Sequence, residues 1–363
     1  MKIKTITCHD VYNFGASLQA YALQKYLQNE GHYVEIINYK PEYLRHFKLW
    51  WIPNSKFDRP IIRNIYRAVK FPKRLWERIF SKRKKAFDKF TKKYLHITNT
   101  TYFSYENLVE KVPEADVYIA GSDQIWNPLF QNGKDPAFFL GFVPCGKKKI
   151  SYAASFAVSA INDVDAKQMK SFLKTFDYIS VREQSGLDIL ESMGLTGIQV
   201  VDPIFLLSAK EWREMEHKKF DQEDFLLVYD FDGNSIIQEI CEKYRRNKNV
   251  RILSVFDMER ADEKGSDFGP CEFLTAVDQA EFVVSNSFHA TAFSILFHKD
   301  FIVVGREEKI NVRMMDLLNQ LGLSERYIDN IKQIDTLNTI CWENVDSHLA
   351  QMINQSKKFL RNI

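Results

Sequence analysis

The stretch Val283-Val284-Ser285-Asn286-Ser287-Phe288-His289-Ala290-Thr291-Ala292-Phe293-Ser294-Ile295-Leu296-Phe297 decides how this chain folds. Two β-branched residues run into a polar Ser-Asn-Ser turn. Apolar residues then recur at Phe288, Ala292, Ile295 and Leu296. The pattern predicts a strand, a tight turn and a helix. A helix start presents unpaired N–H groups and a partial positive charge, so it suits an anion. His289 stands in the first turn of that helix. A lone helical histidine commonly only packs, but this one sits at a strand end, where chemistry with an anionic donor is expected.

The same unit recurs along the chain. Residues 2–7 alternate like an opening strand, Asn13-Phe14-Gly15 makes a polar turn, and Leu18, Tyr21, Ala22, Leu23, Tyr26 and Leu27 mark one helical face. A strand at 33–38 completes a βαβ opening, which implies a parallel sheet. Further strands are expected at 116–120, 149–153, 178–181 and 197–201, with helices at 104–111, 163–173 and 183–193. Asp202-Pro203 interrupts the sheet pattern, since proline cannot donate to a ladder. Beyond it, strands at 224–230, 250–256, 282–285 and 301–304 alternate with helices at 234–246, near 270–278 and at 288–297. Helices opening at Asn311 and over 344–361 follow. The expected architecture is α/β: two Rossmann-like domains facing a cleft, residues 1–205 and 206–340, with a C-terminal helix in 341–363. Neither half carries GxGxxG or a P-loop.

Ligands gather at the carboxyl ends of parallel strands, and several candidate residues fall there. Gly15 permits close backbone approach and Asn13 can donate and accept; the pair can equally be a plain helix-capping turn. Gly121-Ser122-Asp123-Gln124-Ile125-Trp126-Asn127 packs carboxylate, amide, hydroxyl and indole into one strand end. That set suits hydrogen bonding and stacking to a polyol; the other reading is a tight turn capped by Asp123 with Trp126 in the core. Arg182 can fork onto a carboxylate or phosphate, or link to another carboxylate of the chain. Arg306 and Arg313 both follow the strand at 301–304, which places them near the strand end beside His289.

Composition bounds the rest. The chain has 363 residues, 45% hydrophobic and 27% charged, with 28 Phe and 16 Tyr, so core material is ample. A net charge of +3 is no general nucleic-acid signature, and no nucleic-acid partner is expected. It conceals residues 40–95, where Trp50, Trp51, Phe57, Trp76, Phe87 and Phe90 interleave with eighteen arginines and lysines. This reads as an insertion of basic, aromatic amphipathic helices. It suits an anionic membrane surface or lipid-linked substrate, unless the aromatics simply pack on the domain. The five cysteines form no CxxC pair, and no HxH or HExxH occurs, so neither a disulfide framework nor a metal site is expected. No window suggests a signal peptide or a membrane span, and a cytoplasmic protein, with contact to the inner membrane face through 40–95, is the expectation.

The ordered set Asn13-Phe14-Gly15-Ala16 with Leu18-Gln19-Ala20, Gly121–Asn127, Tyr152-Ala153-Ala154-Ser155-Phe156, Val181-Arg182-Glu183, Val201-Asp202-Pro203, Ser287-Phe288-His289-Ala290-Thr291 and Asn311-Val312-Arg313 resembles the polysaccharide pyruvyl transferases. The resemblance covers most of the chain. It implies a fold similar to the GT-B glycosyltransferases, phosphoenolpyruvate as co-substrate, no cofactor, and a sugar of a cell-surface polysaccharide precursor as acceptor, forming a cyclic ketal. The acceptor is expected to be lipid-linked or nucleotide-linked. Other members carry Arg-Leu-His where this chain has Ser287-Phe288-His289. On this reading His289 and Asp123 are catalytic. Arg182, Ser287, Arg306 and Arg313 bind the donor; Asn13, Gly15, Ser122, Gln124, Trp126 and Asn127 bind the acceptor. The alternative is a GT-B glycosyltransferase using a nucleotide-sugar; a non-catalytic scaffold for glycan assembly is a third reading.

Overall fold

A computed structural model describes residues 1–44, 80–215, 220, 224–248, 250–306 and 311–363. Most of the basic aromatic insertion, residues 45–79, lies outside the described residues, as do residues 307–310 beside Arg306.

The first sheet contains β1 (Lys2–Ile6), β2 (Tyr33–Tyr39), β3 (Ile97–Tyr102), β4 (Val117–Ala120) and β5 (Lys148–Ser151) in the order β3-β2-β1-β4-β5, with every pairing parallel. A short pair, β6 (Ser180–Val181) and β7 (Ile198–Gln199), extends it through bridges from Ile150 to Tyr178 and Ala154 to Val181. The second sheet runs β10-β9-β8-β11-β12-β13. Its strands are β8 (Phe225–Tyr229), β9 (Arg251–Ser254), β10 (Glu263–Lys264), β11 (Phe282–Ser285), β12 (Asp300–Val304) and β13 (Tyr327–Ile328), again all parallel. β4 and β8 are buried along their whole length, as parallel strands covered on both faces must be. β3, rich in threonine, was not expected from the pattern.

In each sheet the strand order reverses beside the first strand. The crevice between β1 and β4 and that between β8 and β11 are therefore the two switch points. Thr7, Gly121 and Asp123 follow the first pair; Asp230, Asn286 and Ser287 follow the second. The halves are joined by a continuous core. Phe14 of the first helix (Phe14–Asn29) stacks on Phe273 of the helix Pro270–Gln279, with centroids 4.7 Å apart, and packs against Phe87. The cleft expected between the domains thus has a packed aromatic floor. The last helix, Trp342–Arg361, returns to the first domain: Ser356 Oγ accepts from the Val201 N–H at 2.9 Å, and Arg361 pairs with Glu30.

The described end of the insertion, the helix Lys82–Tyr94, buries Phe87 and Phe90 in the core while Lys82, Lys85, Lys89, Lys92 and Lys93 face outward. Over this part the aromatic face packs on the protein. Among the described residues no helix is long and apolar enough to cross a membrane.

Candidate active site

The loop after β4 is fixed from below. Thr7 Oγ1 donates to the Ser122 carbonyl at 2.9 Å and accepts from Gln19 Nε2 at 2.9 Å, which ties the loop to β1 and the first helix. Asp123 adopts φ 74°, a left-handed conformation costly for a non-glycine residue. Its carbonyl accepts from the N–H groups of Ile125 and Ser155, and its side chain turns toward the second domain. There Asp123 Oδ1 lies 3.5 Å from Arg313 Nη1 and 3.7 Å from Arg182 Nη2. Both distances exceed a normal hydrogen bond.

Across the cleft, Ser287 caps the helix Phe288–Leu296: its Oγ accepts from the Ala290 N–H at 3.4 Å. A serine at this point satisfies one of the helix's unpaired donors. His289 follows in the first turn, 7% exposed. Its Nε2 is 3.6 Å from Asp202 Oδ2 and makes no hydrogen bond. The opposite side of the ring rests on Gly15: a Cβ built there would fall 1.9 Å from His289 Nδ1. The two helix starts, one from each domain, therefore meet at a histidine and a missing side chain.

Beneath them is a buried ionic cluster. Arg182 Nη1 donates to Asp202 Oδ2 at 2.5 Å, and Glu183 lies 3.9 Å from Arg182 Nε. Ser122 Oγ donates to the same Asp202 oxygen at 3.4 Å, and Asp202 Oδ1 accepts from the Ile204 N–H. Burial opposes the charge of Asp202, but His289 and Arg182 outweigh it and hold the carboxyl well below its ordinary range. Glu183 Oε1 accepts from Ser155 Oγ and from the Ala157 N–H. Arg313 is pulled down to about 10, by burial and then by the neighbouring Arg182. Arg182 Nη2 and Arg313 Nε are buried and make no hydrogen bond. Unpaired buried donors of this kind are costly unless something fills them.

A model of the polysaccharide pyruvyl transferase family matches residues 13–308. The chain belongs to that family. It is a transferase, and the two Rossmann-like domains have the GT-B-like arrangement of several solved structures. One is the MnaA–UDP structure from S. aureus, with TM-score 0.52, 10% identity, and coverage of 100% of this chain and 97% of that one. The UDP-GlcNAc 2-epimerase from Methanocaldococcus jannaschii gives 0.51 at 11% identity, covering 98% and 93%. That from Neisseria meningitidis, bound to UDP-GlcNAc, gives 0.50 at 10% identity, covering 99% and 93%. At such identities the likeness is one of fold. A comparison with curated proteins found no significant match.

For this pyruvyl transferase family member, the structure brings Asp123, Arg182, Ser287, His289 and Arg313 to one place. Arg306 stands at the rim, its guanidinium 4.6 Å from the Phe231 ring centroid. The residues named for the acceptor separate. Trp126 is fully buried; its indole N–H donates to the Phe138 carbonyl at 3.0 Å and its ring stacks on Phe139, so it cannot stack on a sugar. Asn127 is also buried, its amide engaged with Gln124 Oε1 and the Leu129 N–H. Ser122 Oγ is committed to Asp202. Asn13 caps the first helix, its Oδ1 accepting from the Ala16 N–H at 3.2 Å. Gly15 accommodates His289, so its open face is filled by protein. Of this set only Asn13 and Gln124 stay partly exposed.

Two participants were passed over in the sequence. Asp202 and Glu183 stood in the quoted motifs Val201-Asp202-Pro203 and Val181-Arg182-Glu183, but neither was given a role at the site. Two Asp-x-Asp pairs also occur, Asp163/Asp165 and Asp230/Asp232. At the second, Asn286 Nδ2 donates to Asp230 Oδ1 at 2.9 Å and to Asp232 Oδ1 at 2.6 Å. Among the described residues no group of three or more His, Cys, Asp or Glu is placed to hold a metal ion.

Proposed function

We propose that this transferase moves the pyruvate unit of phosphoenolpyruvate onto two hydroxyls of one sugar in a cell-surface polysaccharide precursor, forming a cyclic ketal. The observation that carries the reading is the meeting of His289 with unfilled arginine donors opposite Asp123. The donor carboxylate takes the open N–H groups of Arg182 and Arg313, and N–H groups at the Ser287 helix start add to them. His289 acts as the general acid and gives a proton to the donor methylene. The adjoining carbon becomes cationic and an acceptor hydroxyl attacks it. The bond to the phosphate oxygen breaks and phosphate leaves with that electron pair. A second hydroxyl then adds and closes the ketal, each hydroxyl losing its proton. Asp123, held only by long contacts, keeps lone pairs free to orient or deprotonate the acceptor. The acceptor is lipid-linked or nucleotide-linked, and where it is lipid-linked residues 40–95 sit against the inner membrane face.

A glycosyltransferase reaction with a nucleotide-sugar is the second reading. It is favoured by the likeness of fold to UDP-binding epimerases. Protection against proteolysis separates the two. Phosphoenolpyruvate protects the chain if the first reading holds; protection by UDP with none by phosphoenolpyruvate sinks it.

A further inference from the structure

The charges within the cluster leave a deficit for any donor that carries a phosphate. Arg182 and Arg313 supply two positive charges, but Asp123, Glu183 and Asp202 surround them with three negative ones. A protonated His289 brings the group only to neutrality. A carboxylate can use the open arginine N–H groups there, but a phosphate dianion close to three carboxylates is repelled. Its cations must come from elsewhere.

They stand on an aromatic wall that rises from the buried Phe14 and Tyr229 to the more exposed Phe256 and Phe231. Tyr229 lies 5.1 Å from Phe256 and 4.9 Å from Phe231, centroid to centroid, and meets Phe14 edge-on at 6.0 Å. Arg306 covers the Phe231 end. At the other end is Arg83, from the helix Lys82–Tyr94. Its guanidinium stands 4.5 Å from the Phe14 centroid, 5.1 Å from Phe87 and 5.6 Å from Phe256. Nη2 donates to the Tyr12 carbonyl at 3.2 Å, while Nη1 is buried and makes no hydrogen bond. No carboxylate is paired with Arg83 among the described residues, unlike Arg182 and Arg313. Tyr229 lies within electrostatic reach of both Arg83 and Arg306, and Ser287 follows Ser285, whose strand pairs with Tyr229 in the sheet. The wall thus leads from Arg83 directly to the cap of the His289 helix.

We propose that Arg83 is a phosphate-binding residue of this site, reaching from the first domain to form, with the Ser287 helix start of the second, a clamp for a phosphate dianion. Three rings fix the guanidinium and the Tyr12 carbonyl sets its plane, so Nη1 is held ready for a ligand oxygen. The clamp rests on the proposed donor reading for the identity of the ligand, though not for its charge. It also makes phosphate binding dependent on the two domains together.

The test is calorimetric titration of the whole chain with inorganic phosphate, phosphoenolpyruvate and UDP separately, at two salt concentrations. Arg83→Met is expected to weaken inorganic phosphate and phosphoenolpyruvate by about 10–100-fold, the range for losing a charged hydrogen bond. Arg83→Lys, which keeps the charge and loses the fork, is expected to fall between Met and wild type. Lys89→Met, an exposed neighbour on the same helix, is expected to change neither. Circular dichroism melting checks that each variant is folded, and Arg83→Lys carries the test if Arg83→Met is not. Unchanged phosphate affinity in a folded Arg83 variant overturns the proposal, as does a wild type that binds no phosphate. If phosphate and UDP respond to Arg83 but phosphoenolpyruvate never binds, the clamp stands and the donor reading falls.

Discussion

Gly15→Ala separates the site's geometry from the stability of the fold. A Cβ at position 15 would lie 1.9 Å from His289 Nδ1 and 2.2 Å from Cγ. Ordinary contacts between such atoms begin near ~3.5 Å, so the ring must recede by roughly 1.5 Å or rotate out of its place. The imidazole can yield because it is a side chain, whereas the backbone of both helix starts is held by caps at Asn13 and Ser287. Alanine is also the better helix former, worth up to about 1 kcal/mol in a helix interior and less in the first turn. Stability should therefore change by no more than about 1–2 kcal/mol. Misplacing a catalytic group by ~1 Å can cost about 100-fold in rate, and that loss or more is expected in kcat/KM. The assay is phosphate release from phosphoenolpyruvate with a competent acceptor, alongside urea denaturation of the same preparation. Wild-type turnover in a folded Gly15→Ala variant would refute the placement of His289 over Gly15 as the working geometry.

Three further outcomes follow from the same contacts. His289→Ala should lower turnover by ~100–10,000-fold, as removal of a general acid does, with its melting temperature little changed. Asp202→Asn leaves Arg182 buried without its closest counter-charge and should cost about 3–5 kcal/mol in urea denaturation. Because the folded-state pKa of Asp202 is depressed, its contribution is full above pH ~4 and is lost as pH falls further toward the folded value; Asp202→Asn should flatten that acid limb of the stability curve. Trp126→Phe should destabilise by ~1–3 kcal/mol, through its lost hydrogen bond to Phe138 and the space it leaves, while acceptor KM stays at the wild-type value.

The alternation of strand and helix was legible because both sheets are parallel and their strands are largely apolar. Each strand end is then marked by a sudden polar turn, as at Gly121 and Ser285. The histidine turn was legible for the same reason. What a side chain does at those turns was less so. Trp126 and Asp123 lie three residues apart in one polar loop, yet the left-handed backbone at Asp123 sends its carboxylate across the cleft while the indole drops beneath the sheet. Nothing in local composition distinguishes them. Asp202 becomes part of the site only because the chain turns at Pro203 and lays its carboxylate under both Arg182 and His289, a contact between residues far apart in sequence. Gly15 was singled out for backbone freedom, whereas its importance lies in the ring that occupies the space a Cβ would take.

The central claim is that His289 serves a pyruvyl transfer from phosphoenolpyruvate. The most direct measurement incubates the protein with phosphoenolpyruvate and a panel of lipid-linked and nucleotide-linked sugars, following phosphate release and the mass of each sugar together. The account predicts one phosphate released for each sugar that gains a pyruvate less one water, and no such product with His289→Ala. A sugar modified only when a nucleotide-sugar is supplied, with phosphoenolpyruvate left intact, would contradict it.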